Sequence, residues 1–451
     1  MKRPPGRPVL VVADAPPGPH PSLYLPALLA EFEVHAVYLD VERGEARERR
    51  VAALAPARTV RPVADPGAVE AAVAALAAEC RADGVVAFSE RVVHAAQAAA
   101  GALGLPANGP EARHALQDKR VQRALLRVAG LPTPAVRMLP GPAEVSAAAR
   151  EFPFPAVLKP AIGMGSLGTF PVRGGADLAD TWSASRRLVD ADPRVAHRAP
   201  VLMLEEELAG DPAAARDGVG DQVSVEAIVD SGRVHVLAVS DKLPLSHPYR
   251  ETGHLLPSLR PASELEPVLA QVVAAHRALG VTFGATHTEV KLTPDGPRII
   301  EVNGRVGGSV PERLRLAAGY DLTTQLARLA TGQPVDPSIA FHRWAAYLTP
   351  QPPTGRHQVR RAPTWQQVES APGVVRLLHL TPAGAVVDSD AGTAGTLLRA
   401  VAVADDPHAL IRLGERLGAD HFAFKSIHSG YEEPWSADPH QFHGRPLRES
   451  A

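Results

Sequence analysis

Hydrophobic and polar positions alternate between strand and helix patterns in the N-terminal part of the chain. Three short apolar runs are typical of strands buried on both faces: residues 8–13, 34–39 and 84–88. An Ala-rich run at 65–82 is typical of a helix, and this alternation favours a parallel sheet with helices on both faces. Ser89 and Glu90 end the third strand, where such sheets bind ligands; a plain helix N-cap is the alternative.

Two longer helices are predicted in the middle of the chain. The first spans residues 108–130 and includes Lys119. The second spans residues 263–279, where Ser263 and Glu266 have the spacing of a capping box.

A strand pattern at residues 155–160 carries Lys159 near its end and is followed by a glycine-rich loop at 163–168. Glycines let backbone N–H groups approach phosphate oxygens closely, and a lysine before the loop adds a mobile cation. The loop does not fit the P-loop or the Rossmann pattern. It predicts either an unusual phosphate-binding loop or a flexible turn.

Two strand patterns flank a Pro-Asp-Gly-Pro turn at residues 294–297 and predict a β-hairpin. In that hairpin Glu289 and Glu301 lie opposite each other, and Asn303 shares their face. The side chains expected on the opposite, buried face are those of Val290, Leu292, Ile300 and Val302. Facing carboxylates repel each other, so the pair predicts a cation such as Mg²⁺, and a solvated charged face is the alternative.

Another hairpin is predicted from residues 223–229 and 233–239. From about residue 336 the pattern changes to short strands and one helix at 407–417, which predicts a small α+β domain. The stretch from about residue 429 lacks periodicity and predicts a flexible tail.

The composition of the chain argues against several classes of protein. The chain has 451 residues and a formal net charge of −2, so nothing points to nucleic acid or to a polybasic membrane surface. Its one cysteine, Cys80, excludes an internal disulfide. No apolar run approaches the roughly 20 residues of a membrane span. These features favour a cytoplasmic protein.

Taken in order, these motifs resemble the ATP-grasp superfamily of carboxylate–amine ligases, and within it the L-amino-acid ligases that form dipeptides. The resemblance covers residues 8–425. It rests on Asp118-Lys119, Lys159-Pro160, the loop at 163–168, Glu205-Glu206-Glu207-Leu208, and the series Glu289, Glu301, Asn303 and Arg305.

The resemblance implies a mixed α/β ATP-grasp fold with four regions. These are an N-terminal domain with a doubly wound parallel sheet (1–112), a two-lobed ATP-binding module (113–335, with a lid lobe at about 150–208), a C-terminal α+β domain (336–428) and the tail (429–451). It implies ATP and Mg²⁺ as cofactors, with Mn²⁺ as a possible substitute.

The resemblance also implies roles for single residues. ATP would be bound by Lys119, Lys159, Gly165, Ser166, Glu205, Glu206, Leu208 and Thr288. The metal would be held by Glu289, Glu301 and Asn303. The substrates would be bound by Glu90, Glu251, His254, Arg305, Gly307 and Gly308, with Arg305 and His254 also catalytic. For Arg305 a plain salt bridge to Glu301 is the alternative. Glu226 is open between a site role and a surface charge.

The implied reaction activates a carboxylate, expected to be an amino acid, as an acyl phosphate and joins it to an amine with release of ADP. The partners would be small molecules, and a homodimer is left open. One departure concerns Gln222, which stands where the family usually has a glutamate. A carboxylase-like or purine-pathway-like ATP-grasp enzyme, or a nucleotide-binding protein without turnover, are the competing interpretations.

Overall fold

The computed structural model describes residues 6–192 and 201–427, together with the backbone of residues 432–434. Apart from that short segment, the predicted flexible tail lies outside the described residues. The described chain mixes one parallel sheet with three antiparallel sheets. The predicted mixture of α/β and α+β architecture is therefore confirmed.

The N-terminal sheet is parallel and has four strands in the order β3-β2-β1-β4. They are β1 (Val9–Asp14), β2 (Glu33–Leu39), β3 (Thr59–Val63) and β4 (Gly84–Ala87). The helices around it are α1 (Leu25–Glu31), α2 (Gly44–Leu54), α3 (Val69–Cys80) and α4 (Val93–Ala102). Leu10 and Val12 pack in one core and Val11 and Ala13 in another, so both faces of the sheet are covered, as the alternation predicted.

A smaller antiparallel sheet follows, with the strand order β5-β8-β6-β7. Its strands are β5 (Val136–Leu139), β6 (Ala156–Pro160), β7 (Phe170–Val172) and β8 (Leu202–Glu206). The helices in this part of the chain are α5 (Pro110–Ala115), α6 (Lys119–Val128), α7 (Pro142–Glu151) and α8 (Gly175–Ala191). Leu158, Leu178 and Leu204 share one core, which joins α8 to the sheet.

The remaining strands are β9 (Gln222–Asp230), β10 (Arg233–Lys242), β11 (Gly253–Leu256), β12 (Phe283–Thr293), β13 (Gly296–Asn303), β14 (Trp344–Leu348), β15 (Arg356–Arg361), β16 (Val374–Leu380), β17 (Val386–Asp388), β18 (Leu398–Ala404), β19 (Ala423–Ser426) and β20 (Glu432–Pro434). The helices are α9 (Ala262–Ala278), α10 (Val310–Ala318), α11 (Leu322–Ala330), α12 (Trp365–Glu369) and α13 (Pro407–Ala419). Both predicted hairpins, β9–β10 and β12–β13, are confirmed.

Strands from two regions of the chain build the largest sheet. It is antiparallel, has eight strands and runs in the order β13-β12-β9-β10-β11-β14-β18-β16. The C-terminal strands β14, β16 and β18 thus continue a sheet that begins in the middle of the chain. The other C-terminal strands form a separate sheet in the order β17-β15-β19-β20. The domain borders derived from the sequence stay a prediction.

The two faces of the eight-stranded sheet differ in polarity. On one face Val225, Thr288 and Val302 are paired side by side and are buried. A row of directly paired residues crosses the other face: Glu301, Glu289, Ser224 and Ser240. A parallel row contains Lys242, His254, Tyr347 and Val401. Because directly paired residues point to the same side, the register gathers polar groups from six strands on one face.

Two helix predictions are wrong in detail. Residues 108–130 form two helices, because Asp118 has an extended backbone and its carboxylate accepts the N–H of Arg120, so that it caps α6. The proposed capping box of Ser263 and Glu266 does not form, because α9 already begins at Ala262, with Pro261 as its N-cap. The break at Asp118 places Lys119 in the first turn of α6.

Helix α6 offers a test of its packing. Leu126 is 1% exposed in the core below the sheet, whereas Val128 on the same helix is 87% exposed. We expect Leu126→Ala to lower the free energy of unfolding by about 2–5 kcal/mol, because it leaves a cavity. Val128→Ala is the matched control, with an expected change below about 0.5 kcal/mol. Urea unfolding of both variants measures the difference, and equal effects would contradict the assigned orientation of the helix.

Candidate active site

A cavity of about 1450 Å³ lies where the N-terminal sheet, the smaller antiparallel sheet and the polar face of the eight-stranded sheet meet. All but one of the predicted site residues line it: Glu90, Lys119, Lys159, Gly165, Ser166, Glu205, Glu206, Leu208, Glu251, His254, Glu289, Glu301, Asn303, Arg305, Gly307 and Gly308. The fold therefore gathers residues that are far apart in sequence around one space.

Thr288 is the predicted residue that does not line the cavity. It is paired with Val225 and Val302 on the apolar face, and it is fully buried. Its neighbours His287 and Glu289 point the opposite way, as the period of two along a strand requires. The structure therefore places the Thr288 side chain away from the cavity, and its assignment to ATP binding stays a prediction.

The central hairpin has the predicted register at its carboxylates, because Glu289 is paired directly with Glu301. A β-bulge follows, and Val290 pairs with Ile299. The extra residue changes the alternation. Ile299 is 2% exposed in the core, whereas Ile300 lines the cavity, so the predicted burial of Ile300 on the core side is wrong.

Buried cations hold the two facing carboxylates. The Lys119 Nζ lies 2.8 Å from Glu301 Oε1, and the Lys242 Nζ lies 3.1 Å from Glu289 Oε2. His287 Nε2 lies 3.4 Å from the other oxygen of Glu289. Burial raises the pKa of Glu289, but the charge of Lys242 and the hydrogen bond from His287 outweigh burial and lower it. Glu289 is thus kept ionised beside Glu301, which is held by its ion pair with Lys119.

Glu226 is a buried partner of His287 and not a surface charge. Its Oε1 lies 2.7 Å from His287 Nδ1, and Glu226 is 2% exposed. Burial lowers the pKa of His287, but Glu226 outweighs burial and raises it to about 9. Gly307 makes room for this pair, because a Cβ there would lie 2.5 Å from His287 Nδ1 and 3.1 Å from Glu226 Oε1. A glycine is therefore required at this close approach.

The predicted nucleotide end of the cavity has a buried ion-pair network. Glu205 on β8 forms ion pairs with Lys159 on β6 and with Arg123 on α6. The strand register explains the first pair, because Val157 is opposite Glu205 and Lys159 is two residues further on the same face. Burial raises the pKa of Glu205, but the two cations outweigh burial and lower it to about 2. Lys159 and Glu205, which were predicted in different ATP contacts, thus contact each other.

The glycine-rich loop is docked over this end. Gly165 and Ser166 have positive φ angles of 64° and 57°. The Ser166 hydroxyl donates to the Tyr249 carbonyl over 3.1 Å, and the Thr393 N–H donates to the Gly165 carbonyl over 3.0 Å. A Cβ at Gly392 would lie 2.5 Å from that carbonyl, so only glycine fits there. The C-terminal region thus holds the loop against the cavity.

A second cluster of polar side chains lies at the predicted substrate end of the cavity. Glu251 lies 2.7 Å from Lys242 Nζ and 3.3 Å from His254 Nε2. Burial lowers the pKa of His254 despite the neighbouring carboxylate. Arg305 Nε lies 3.0 Å from Glu90 Oε2, so its ion pair is with the N-terminal sheet and not with Glu301. This contact joins Glu90 and Arg305 across the cavity.

Sequence reasoning missed three charged residues of the site. Lys242 bridges Glu289 and Glu251, His287 contacts Glu289, and Arg123 contacts Glu205. The period of two could have found His287, because it stands two residues before Glu289. Lys242 is the last residue of its strand, and the sequence does not reveal which residues of the neighbouring strands lie opposite it. Gln222 does line the cavity at the position noted as a departure.

The donor set at the hairpin suits Mg²⁺. Glu289, Glu301 and Asn303 offer hard oxygen atoms, and Mg²⁺ is usually held by one or two carboxylates together with water and phosphate. Within the described ranges no cluster of three or more His, Cys, Asp and Glu side chains has the geometry of a complete metal site. The residues therefore fit a metal that is shared with a phosphate ligand.

Both the sequence and the fold of this chain are similar to those of known proteins. Residues 152–312 match the ATP-grasp domain family. Carnosine synthase 1 of Mus musculus is 32% identical over 263 residues, 54% of this chain and 30% of that protein. Alanine–anticapsin ligase of Bacillus subtilis is 26% identical over 231 residues, 50% of this chain and 48% of that protein. The crystal structure of an L-amino acid ligase from Bacillus licheniformis superposes with a TM-score of 0.75 at 20% identity, covering 93% of this chain and 99% of that one.

The chain therefore has the ATP-grasp fold, and the predicted resemblance to that superfamily is confirmed. The L-amino acid ligase of Bacillus licheniformis shares this fold over nearly its whole length. The matched segments span less than half of the two sequence relatives. None of the helices in the described ranges combines the length and apolar character that a membrane crossing needs.

The buried network at Glu205 predicts a pH-dependent stability. We expect Glu205→Gln to lower the free energy of unfolding at pH 7 by about 3 kcal/mol, because two buried cations lose their counterion. The folded-state pKa is depressed from 4.5 to about 2. The stabilisation is therefore complete above pH 4.5 and is lost as the pH falls through about 2.

Urea unfolding of the wild type and Glu205→Gln between pH 7 and pH 3.5 measures this difference. The adjacent Glu206 is exposed, and Glu206→Gln is the matched control, with an expected effect below about 1 kcal/mol at every pH. A gap between wild type and Glu205→Gln that widens on acidification would contradict the assigned pKa direction.

Proposed function

We propose that the chain is an ADP-forming carboxylate–amine ligase that activates an amino acid as an acyl phosphate and joins it to the amine of a second amino acid. The observation that carries the proposal is the paired Glu289 and Glu301, with Arg305 in the wall of the same cavity. The similarity to carnosine synthase, to alanine–anticapsin ligase and to an L-amino acid ligase supports it.

ATP would lie between the smaller antiparallel sheet and the hairpin. Lys119 and Lys159 supply cations, and the loop around Gly165 and Ser166 supplies backbone N–H groups to the phosphates. Leu208 and Glu206 lie at the far end of β8, where the base would contact the chain. Phosphoryl transfer depends mainly on positioning and charge neutralisation, which these groups provide.

Glu289, Glu301 and Asn303 would hold Mg²⁺, with Mn²⁺ as a possible substitute. When bound, the metal would neutralise charge on the β- and γ-phosphate oxygens. Lys119 and Lys242 already lie against the two carboxylates and would keep them oriented as the ligand binds. The fit rests on the hard oxygen donors that share the cavity.

The acyl group would lie beside Arg305 and the amino-acid backbone beside Glu251 and His254. A carboxylate oxygen of the donor substrate attacks the γ-phosphorus, and ADP leaves. The amine then attacks the acyl carbon, the bond from that carbon to the phosphate oxygen breaks, and inorganic phosphate leaves. Arg305 stabilises the oxyanion, and His254, kept neutral by burial, accepts the proton of the amine.

We place the enzyme in the cytoplasm, with small-molecule substrates and no nucleic-acid partner. A homodimer is compatible with the proposal. The single cysteine and the net charge of −2 support this placement.

Product analysis tests the proposal directly. With ATP, Mg²⁺ and pooled amino acids, the protein is expected to release ADP and phosphate and to form dipeptides that mass spectrometry identifies. EDTA is expected to stop the reaction. Tight ATP binding without ADP release would favour a nucleotide-binding protein, and release of AMP would exclude the acyl-phosphate route.

A substitution of Arg305 tests its proposed role in stabilising the oxyanion. We expect Arg305→Ala to keep ATP binding but to lower kcat for ligation by about 100-fold or more, because an oxyanion donor is lost. Arg298→Ala is the matched control on β13, which ends two residues before Arg305, since among the described residues the Arg298 side chain bonds to carbonyls near the hairpin turn. ADP release and calorimetric ATP binding are measured for both variants. Near-normal turnover of Arg305→Ala would assign the oxyanion role elsewhere.

A further inference from the structure

The C-terminal strands contribute Arg399 to the wall of the cavity, and this arginine differs from most other arginines there in its ion pairing. Most arginines that line the cavity have carboxylate partners: Arg49 with Glu45, Arg50 with Asp14 and Glu42, Arg123 with Glu205, Arg305 with Glu90, Arg315 with Asp321, and Arg376 with Glu312. Arg399 also lines the cavity, but no ion pair of Arg399 occurs among residues 6–192 and 201–427.

The sheet directs Arg399 toward the cavity. Its neighbours Leu398 and Ala400 are fully buried in the C-terminal core, so the period of two turns Arg399 to the opposite face of β18. On that face its one hydrogen bond in the described chain is a long one, from Nη2 to the Ala394 carbonyl over 3.5 Å. The guanidinium thus retains free donors at the cavity wall.

A second uncompensated cation lies behind the same wall. Arg313 on α10 is 1% exposed, and its Nη1 donates to the Ser240 hydroxyl over 3.2 Å. Its Nε is buried and has no hydrogen-bond partner, and the described part of the chain provides no ion pair for it. Burial lowers the pKa of Arg313 to about 10, although the carboxylates of Glu226 and Glu251 act in the opposite direction. Because these carboxylates do not fully offset the cost of burial, a further anion nearby would be favoured.

Tyr347 connects both cations to the substrate end of the site. It is paired directly with Val401, which lies two residues from Arg399 on the same face of β18. Burial raises the pKa of Tyr347, whereas the charges of Arg399 and Arg313 lower it. Its ring centroid lies 6.3 Å from that of His254, with which it is paired across β11 and β14. Tyr347 therefore links the two arginines to His254, the residue that contacts Glu251.

We propose that Arg399, supported by Tyr347 and by the charge of Arg313, is a subsite for a second carboxylate of the substrates, distinct from the carboxylate that is activated. This inference rests on the proposed ligase function. Arginine presents parallel N–H donors that match a carboxylate, and an anion bound there would balance the uncompensated charge.

That carboxylate has two possible sources with the same chemistry. It belongs either to the side chain of an acidic donor amino acid or to the α-carboxylate of the amine substrate, which stays free in the product. Matched neutral amides distinguish them. Aspartate against asparagine and glutamate against glutamine test the first source, and alanine against alaninamide tests the second.

The experiment compares wild type, Arg399→Gln, Arg399→Lys and the control Arg360→Gln. Arg360 is exposed on β15, and within residues 6–192 and 201–427 its side chain bonds only to Gln358. Binding of each amino acid and amide is measured by calorimetry with Mg²⁺ and a non-hydrolysable ATP analogue, and ligation is measured in parallel by ADP release and mass spectrometry. Urea unfolding verifies that each variant is folded.

For the probes of one of the two sources we expect the wild type to bind the carboxylate more tightly than its neutral amide. Arg399→Gln should weaken binding of that carboxylate by about tenfold or more, the effect of one lost hydrogen bond to a charged group, and leave its amide nearly unchanged. Arg399→Lys should restore part of the preference, and Arg360→Gln should retain all of it.

Equal losses for carboxylate and amide, or no binding of any probe, would overturn the subsite. Carboxylate-selective binding that depends on Arg399, without ligation by the wild type, would instead overturn the ligase function and leave the subsite in place. The two failures are thus distinguishable.

Discussion

The structure depends on two carboxylates that face each other across one pair of strands. Glu289 and Glu301 would repel, and the fold places Lys119, Lys242 and His287 against them. Each of these cations comes from a different element, so the helix α6 and the strands β10 and β12 must all be in register before the pair is neutralised. The geometry of the proposed metal site is therefore a consequence of the whole fold and not of the hairpin alone.

The eight-stranded sheet distributes the chemistry of the site by its two faces. Its apolar face packs Val223, Val225 and Val302 against α9, and its polar face carries the charged rows. Lys242 connects the rows, because it contacts both Glu289 and Glu251. One buried lysine thus couples the proposed metal site to the proposed amino-acid site. The C-terminal strands extend the same face and add Tyr347 and Arg399 to the cavity.

The cavity is closed by contacts between regions that are remote in sequence. The glycine-rich loop is held by Tyr249 and Thr393, and Glu90 of the N-terminal region reaches Arg305. At the other end, Glu205 is enclosed by Lys159 and Arg123. In the proposed enzyme these contacts would exclude water from a reactive acyl phosphate, which water would otherwise hydrolyse.

The sequence by itself determined both hairpins, because strand alternation and turn residues are local properties, and its resemblance to the ATP-grasp superfamily supplied the predicted site residues. It placed Glu289 opposite Glu301 and predicted the parallel N-terminal sheet. It could not place Ile300 correctly, because the bulge after Glu289 arises only when the two strands pair. Nor could it find that Lys242 bridges two carboxylates or that Arg399 faces the cavity. Such contacts join residues distant along the chain, and only the tertiary structure decides which of them meet.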